Sequence, residues 1–378
     1  MTVKKPPMGW NSWNTFGKNI DENLIKETAE KMVSEGFLDV GYDYLVIDDC
    51  WSEKQRDTDG NLVPDKIKFP SGMKSLSDYV HSLGLKFGMY SCCGNMTCAG
   101  YPGSFDYEFK DAKTFASWGV DYLKYDYCFK PMNAQGHALY KKMGLALANC
   151  GRDICFSACS WGIDETHRWI KETGADLWRS TGDINDSWAS IKDLLLKQKD
   201  LQPFNGHGCF NDMDMLIVGM NGSGNVAHEN GCTFEEYKTH FSAWAFFGSP
   251  LMIGCDVRNA SDETKKILLN REIIEIDQDE AYRQPFICGS YWNNPEVPVW
   301  AKFLENGDIA LGFFNLTDSA ASPFVSFDSI GLGKVSNKGL AMRDLWEHKD
   351  IGVYKDIFRA ENMPPHSCLM LRASVADA

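Results

Sequence analysis

"WGVDYLKYDYC", residues 118–128, is the stretch on which the reading of the chain turns. It closes an amphipathic helical pattern, FKDAKTFASWG (109–119), and opens a short apolar, aromatic run that ends on a lysine, an aspartate and a thiol. In an extended strand side chains alternate, so Lys124 and Asp126 share one face while Tyr125 and Tyr127 turn to the other. One reading is a strand end passing into a loop. The other is a carboxylate held at the mouth of a barrel, with its lysine beside it.

The same helix-to-strand alternation runs through the first 280 residues. Strand candidates are MGWNSW (8–13), YLVIDDCW (44–51), LKFGMYSCCG (85–94), YLKYDYC (122–128), ICFSACSWG (154–162), LWRSTGD (177–183), DMDMLIVG (212–219) and LMIGCD (251–256). Helical spacing recurs in 21–37, 138–151, 191–201 and 233–248, the first opening on Asp21 as an N-cap. Repeated β-then-α units predict an α/β fold, a (β/α)8 TIM barrel over residues 1–280. A doubly wound open sheet is the competing topology, but no glycine-rich phosphate turn follows the first strand. Beyond 280 the period changes. VPVWAKFLENGDIALGFFNL (297–316) is two alternating runs around ENGD, a hairpin, and later segments carry turn residues without a helical period. This predicts a C-terminal antiparallel β-sandwich over 281–378.

Composition narrows the function. With 52 acidic against 38 basic residues the formal charge is −14, which argues against a nucleic-acid partner or an anionic membrane surface. There is no run of about 18 apolar residues to cross a membrane. The opening MTVKKPPMGWNSW lacks an apolar stretch after its lysines, so the expectation is a cytoplasmic protein. Most of the 13 cysteines should then be free thiols. Cys92, Cys93 and Cys98 match no standard zinc spacing and no neighbouring histidine completes them, so neither metal nor cofactor is expected.

In a TIM barrel the functional groups stand at the C-terminal ends of the strands. Reading those ends in order yields Trp13; Asp48, Asp49 and Trp51; Tyr90; Lys124 and Asp126; Cys159, Ser160 and Trp161; Arg179 and Asp183; Asp212, Asp214 and Met215. No histidine stands at a strand end, which weakens metal hydrolysis and Ser-His-Asp chemistry. Two carboxylates facing one substrate suit glycoside hydrolysis, one attacking the anomeric carbon and the other moving a proton. Lys124 should lower the pKa of Asp126 and keep it ionised. Asp183, following STG, should sit nearer apolar surroundings and stay protonated.

At these residues a resemblance becomes specific. MGWNSWN, IDDCW, GNMTCAGYPGSF, WGVDYLKYDYC, LWRSTGDI, NDMDMLIVG and SPLMIGCDVRN, in this order across the whole chain, resemble glycoside hydrolase family 27, the α-galactosidase (melibiase) and α-N-acetylgalactosaminidase family. The resemblance implies a retaining exo-glycosidase acting by double displacement on terminal α-galactosides of oligosaccharides or glycoconjugates. Asp126 matches the nucleophile and Asp183 the acid/base. Asp48 and Asp49 match the pair that holds the galactose 4- and 6-hydroxyls, Lys124 the lysine at the 3- and 4-hydroxyls, and Arg179 a ligand for the 2-position. Trp13 matches the stacking platform. Tyr90, Cys128, Cys159, Trp161, Asp214 and Met215 match further sugar-pocket positions. Cys98 and Cys128 match a pair that is disulfide-bonded in secreted relatives.

The departure lies in ACSWGID. Many α-galactosidases carry a bulky acidic residue where this chain has Ser160, which implies room for a 2-acetamido group, but Ile163, three residues on, is large. The reading favours α-galactosidase, with α-N-acetylgalactosaminidase as the alternative. Asp48 argues against a β-L-arabinopyranosidase. A non-catalytic sugar-binding barrel would be expected to have lost a carboxylate at 126 or 183, and both are present. Oligomeric state is open, a homo-oligomer included.

Overall fold

A computed structural model describes residues 3–333 and 338–377. The two first residues of the expected barrel, and residues 334–337 and 378 of the expected C-terminal domain, lie outside the described residues. Eight parallel strands, β1 (Met8–Asn11), β2 (Tyr44–Val46), β3 (Lys86–Cys92), β4 (Tyr122–Asp126), β5 (Cys155–Cys159), β6 (Leu177–Arg179), β7 (Phe210–Asp212) and β8 (Leu251–Ile253), pair in the order β7-β6-β5-β4-β3-β2-β1-β8. Leu216, beyond β7, completes the ring: its N–H donates to Met252 O at 2.7 Å, and its carbonyl accepts from Gly254 N–H at 2.9 Å. The fold is therefore the predicted TIM barrel.

The seventh strand departs from its sequence reading. DMDMLIVG was read as one run, yet the ladder stops at Asp212 because Asp214 adopts φ +84°. That turn is held locally: Asp214 N–H donates to Asp212 Oδ1 at 2.9 Å, and Met215 N–H donates to Asp214 Oδ1 at 2.7 Å. An aspartate can carry this conformation because its short side chain bonds its own backbone.

The outer layer comprises a short turn α1 (Trp13–Phe16) and the helices α2 (Glu22–Ser34), α3 (Gly72–Ser82), α4 (Glu108–Trp118), α5 (Gly136–Ala148), α6 (Trp188–Leu196), α7 (Phe234–Phe247), α8 (Asp262–Leu268) and α9 (Arg271–Asp277). Asp21 caps α2 by accepting from Leu24 N–H, as its position predicts, and Thr233 with Glu236 forms a capping box on α7. The β5–β6 crossover differs from a regular βα unit. It contains two 3-10 segments, 163–168 and 170–173, in place of an α-helix. Trp161, Gly162, Asp164 and Glu165 all have left-handed φ, which breaks any helix at its start.

Inside the ring Tyr44, Tyr122, Leu177, Phe210 and Met252 pack as one apolar cluster, while Leu123, Tyr125, Phe156 and Trp178 face the helices. Gly88 makes the inner cluster fit: a Cβ there would come within 2.7 Å of Val46 and 3.1 Å of Tyr122. The bottom is thus filled, and only the C-terminal mouth is left for polar groups.

A second, antiparallel sheet follows. Its strands β9 (Phe286–Tyr291), β10 (Asn294–Phe303), β11 (Ile309–Asn315), β12 (Phe324–Ser326), β13 (Lys338–Asp344), β14 (Lys349–Tyr354), β15 (Ile357–Arg359) and β16 (Ser367–Asp377) pair in the order β14-β13-β16-β11-β10-β9-β12-β15. Leu340 and Met342 of β13 and Phe358 of β15, towards opposite ends of the ladder, share one core with Val299, Leu311 and Phe313, so the sheet folds over itself as a sandwich. The ENGD hairpin joins β10 to β11 as predicted. The other face of these two strands packs on α7, with Trp300 5.0 Å from Phe247 and Phe314 6.4 Å from Phe246 between ring centres. Lys302, buried in the same face, donates to Ile276 O at the end of α9 at 2.7 Å.

Candidate active site

Parallel register sets the first half of the site. Lys124 lies level with Tyr90 on β3, and Asp126 lies level with Cys92 on β3 and Cys159 on β5. Asp48 follows β2. Its Oδ2 accepts from Lys124 Nζ at 2.8 Å and from Asn11 Nδ2 at 2.8 Å, and its side chain is only 2% exposed. Burial disfavours the charged lysine, but Asp48 and Asp126 outweigh that and raise the Lys124 pKa. Asp49 is held by the backbone N–H groups of Ala99 and Cys50 at 2.9 and 2.7 Å, and burial raises its pKa.

Asp126 ends β4. Its Oδ1 accepts from Tyr127 N–H at 2.9 Å and its Oδ2 from the Tyr90 hydroxyl at 3.0 Å. Burial pushes its carboxyl up to about 6, against the pull of Lys124. The sequence expectation had the lysine's sign right but omitted burial, which is the larger effect. Tyr125 and Tyr127 do face outward, both onto Tyr140 of α5. Cys98 and Cys128 form a disulfide with Cα atoms 5.2 Å apart.

The second half is an ion-pair chain. Arg179, 4% exposed, donates to Asp183 Oδ1 at 3.0 Å and to Asp214 Oδ1 at 2.9 Å. Asp214 Oδ2 accepts from Ile184 N–H at 2.7 Å, so the loop carrying Asp183 is anchored on both sides of it. The Asp183 side chain is 74% exposed. Partial desolvation lifts its pKa, but Arg179 and Lys124 prevail and lower it. The apolar surroundings expected for Asp183 are absent: its neighbour is a guanidinium. Asp212 is pushed up to about 6 by burial.

These groups surround one cavity of about 100 Å³ at the barrel mouth, lined by Trp13, Asp48, Asp49, Tyr90, Cys98, Lys124, Asp126, Trp161, Arg179, Asp183, Asp214 and Met215, together with Asn14, Ile184 and Val226. Three residues read as sugar contacts do not line it. Cys159 lies beneath, its Sγ 3.7 Å from Arg179 Nη1 and its thiol pKa pushed up by burial. Cys128 is engaged in the disulfide. Ser160 is fully buried with its Oγ 2.5 Å from Thr166 Oγ1, because the left-handed turn at Trp161 and Gly162 folds the chain back over it. Trp161 faces the cavity instead. Ile163 is exposed and also absent from the lining.

The sequence reading missed the supports. Asn11, at the end of β1 two residues before Trp13, orients Asp48 across to β2 and accepts from Trp13 N–H at 2.9 Å. Asp186, three residues after Asp183, accepts from Gly222 N–H and the Tyr237 hydroxyl, each at 2.7 Å, and its own N–H donates to Val226 O at 3.0 Å. It ties the Asp183 loop to the segment 221–231 that follows β7. Nothing local marked this partner.

The α-galactosidase A family model matches residues 5–279, and the α-galactosidase C-terminal β-sandwich domain model matches residues 294–373. The chain belongs to glycoside hydrolase family 27. Among its relatives, an α-galactosidase of Cyamopsis tetragonoloba is 44% identical over 366 residues, 97% of this chain and 85% of that protein. The crystal structure of α-galactosidase I from Mortierella vinacea superposes with a TM-score of 0.91 at 33% identity, covering 99% of this chain and 98% of that one. An α-galactosidase of Saccharomyces cerevisiae crystallised with raffinose superposes at 0.88 with 29% identity, covering 98% of each chain. As a family 27 hydrolase the chain is an enzyme, and the cavity at its barrel mouth is its candidate active site.

Proposed function

We propose that this enzyme is a retaining α-galactosidase that releases terminal α-linked galactose from oligosaccharides or glycoconjugates. The observation that carries the reading is the arrangement of Asp48, Lys124 and Asp126 on one wall of the cavity and Arg179 with Asp183 on the other. The raffinose bound to the yeast relative supports an α-galactosyl oligosaccharide as the substrate class.

Asp48 accepts the axial 4-hydroxyl and the 6-hydroxyl, Asp49 supports them, and Lys124 donates to the sugar while neutralising Asp48. A glucoside would leave this buried acceptor short of a donor, at a cost of about 1–3 kcal/mol or more for a charged group. Asp126 attacks the anomeric carbon as the glycosidic bond breaks, and Asp183 gives its proton to the departing oxygen. Asp183 then takes a proton from water, which attacks the glycosyl ester and frees Asp126.

Burial lifts the Asp126 carboxyl only to about 6, so it is ionised at neutral pH, whereas Arg179 and Lys124 hold the Asp183 carboxyl low despite partial desolvation. Substrate raises Asp183. The sugar's 2-hydroxyl engages Arg179 and draws it from Asp183, and the aglycone covers the exposed Asp183 carboxyl, so its pKa rises. Asp183 thereby holds the proton that it gives to the leaving oxygen, while Asp126 stays ionised.

Hydrolysis of paired p-nitrophenyl α-galactoside and α-N-acetylgalactosaminide tests the substrate. The galactoside should turn over faster, and faster turnover of the acetamido sugar would reverse the assignment. The buried, Thr166-bonded Ser160 gives the 2-acetamido group no contact of its own.

A further inference from the structure

The disulfide sits against the proposed nucleophile. Cys98 is exposed at the cavity and Cys128 is half-buried, two residues past Asp126. Both sulfurs and an Asp126 carboxylate oxygen lie within 4.8 Å of one another. The Tyr90 hydroxyl touches both sides of this group, 3.0 Å from Asp126 Oδ2 and 3.4 Å from Cys98 Sγ. Among the described residues no other set of three such side chains meets this spacing.

While the S–S bond stands, neither sulfur is a thiolate, and only the carboxylate is a competent ligand. A dithiol or phosphine reductant supplies two electrons, the S–S bond breaks, and two thiols form. Two thiols and a carboxylate around one point, with a fourth direction open to the cavity, are the donor set of a tetrahedral soft-metal site. The Cα separation of 5.2 Å lets the two sulfurs part to opposite edges of an ion by side-chain rotation alone. Binding would expel the thiol protons as the S–metal bonds form.

We propose that the reduced chain binds a thiophilic divalent cation, of the zinc or cadmium class, between Cys98, Cys128 and Asp126, and that the disulfide excludes it. The site follows from these three residues alone. Its consequence, loss of glycosidase activity because the ion occupies the Asp126 lone pairs, rests on the proposed role of Asp126.

The test is a cadmium titration of the oxidised chain and of the chain reduced with a phosphine that is then removed, following thiolate-to-cadmium charge-transfer absorption and activity in parallel. The reduced chain should gain a single tight equivalent and lose activity as it fills, while the oxidised chain does neither. Cys98→Ser and Cys128→Ser, each confirmed folded by circular dichroism, should abolish the band. Asp126→Asn should keep a band but weaken binding by at least roughly tenfold. Equal binding in both redox states, a band that survives both serine variants, or unfolding on reduction without binding would overturn the site. Binding with activity intact would uphold the site and count against Asp126 as nucleophile.

Discussion

The two carboxylates assigned to catalysis are mounted in opposite ways. Asp126 ends a strand hydrogen-bonded on both sides, is buried, and is held by Tyr90 and a backbone N–H. Asp183 stands on a loop past β6, exposed, and is held by the Arg179 guanidinium. A nucleophile must meet one carbon at a fixed point, so a rigid mount suits it. A proton donor must serve aglycones of differing shape and titrate within each cycle, so an exposed mount suits it.

The largest expected effect is at the rigid mount. Asp126→Ala should lower kcat by about 10⁴-fold with the fold intact. Asp183→Asn should cost roughly 10²–10⁴-fold on an oligosaccharide, and distinctly less on a p-nitrophenyl galactoside, whose leaving group needs little protonation. Equal losses on both substrates would break the contrast between the two mounts. Lys124→Met leaves Asp48 buried without its cation and should cut kcat/KM by about 10–100-fold.

Stability should separate the pair in the reverse sense. Asp126 keeps its proton up to about pH 6 in the folded chain but only to about pH 4 when unfolded. Between those values the native state binds the additional proton, so stability falls as pH rises through this window. Asp126→Asn removes that cost. The variant should be more stable than the parent above pH 6, by an amount on the order of 1–3 kcal/mol, with the advantage vanishing below about pH 4; calorimetry at both pH values reads it. Asp183→Asn should show no such gain. The same titration predicts a kcat/KM profile that falls as pH drops below about 6.

The smallest effect concerns the loop tie. Tyr237→Phe removes the hydroxyl that donates to Asp186 and accepts from Asn221 N–H and Cys232 N–H, at a cost of about 1–3 kcal/mol, and should raise KM for an oligosaccharide several-fold while barely changing a p-nitrophenyl substrate. A larger change in kcat than in KM would place the tie in the chemistry rather than in aglycone binding.

What could be read from the sequence follows the same division. Strand-mounted groups such as Lys124, Asp126 and Asp48 were legible because a two-residue period and a βα repeat specify where they end up. Asp214 broke that logic: its left-handed turn depends on bonds to Asp212, Met215 and Ile184 that no periodicity announces. Ser160 was misplaced for the same reason, since the turn at Trp161 and Gly162 decides which side chain faces the cavity. The reversed proton affinities of Asp126 and Asp183 required burial and exposure, quantities that only the folded chain has. The Asp186–Tyr237 contact spans 51 positions and had no local signature.

Covalent trapping tests the central claim most directly. With an activated 2-deoxy-2-fluoro-α-galactosyl substrate the fluorine should slow hydrolysis of the ester more than the activated leaving group lets it form, and peptide mass mapping should find one 2-deoxy-2-fluorogalactosyl adduct on Asp126. An adduct on another residue, or complete turnover with no adduct and a first product of inverted configuration, would contradict it.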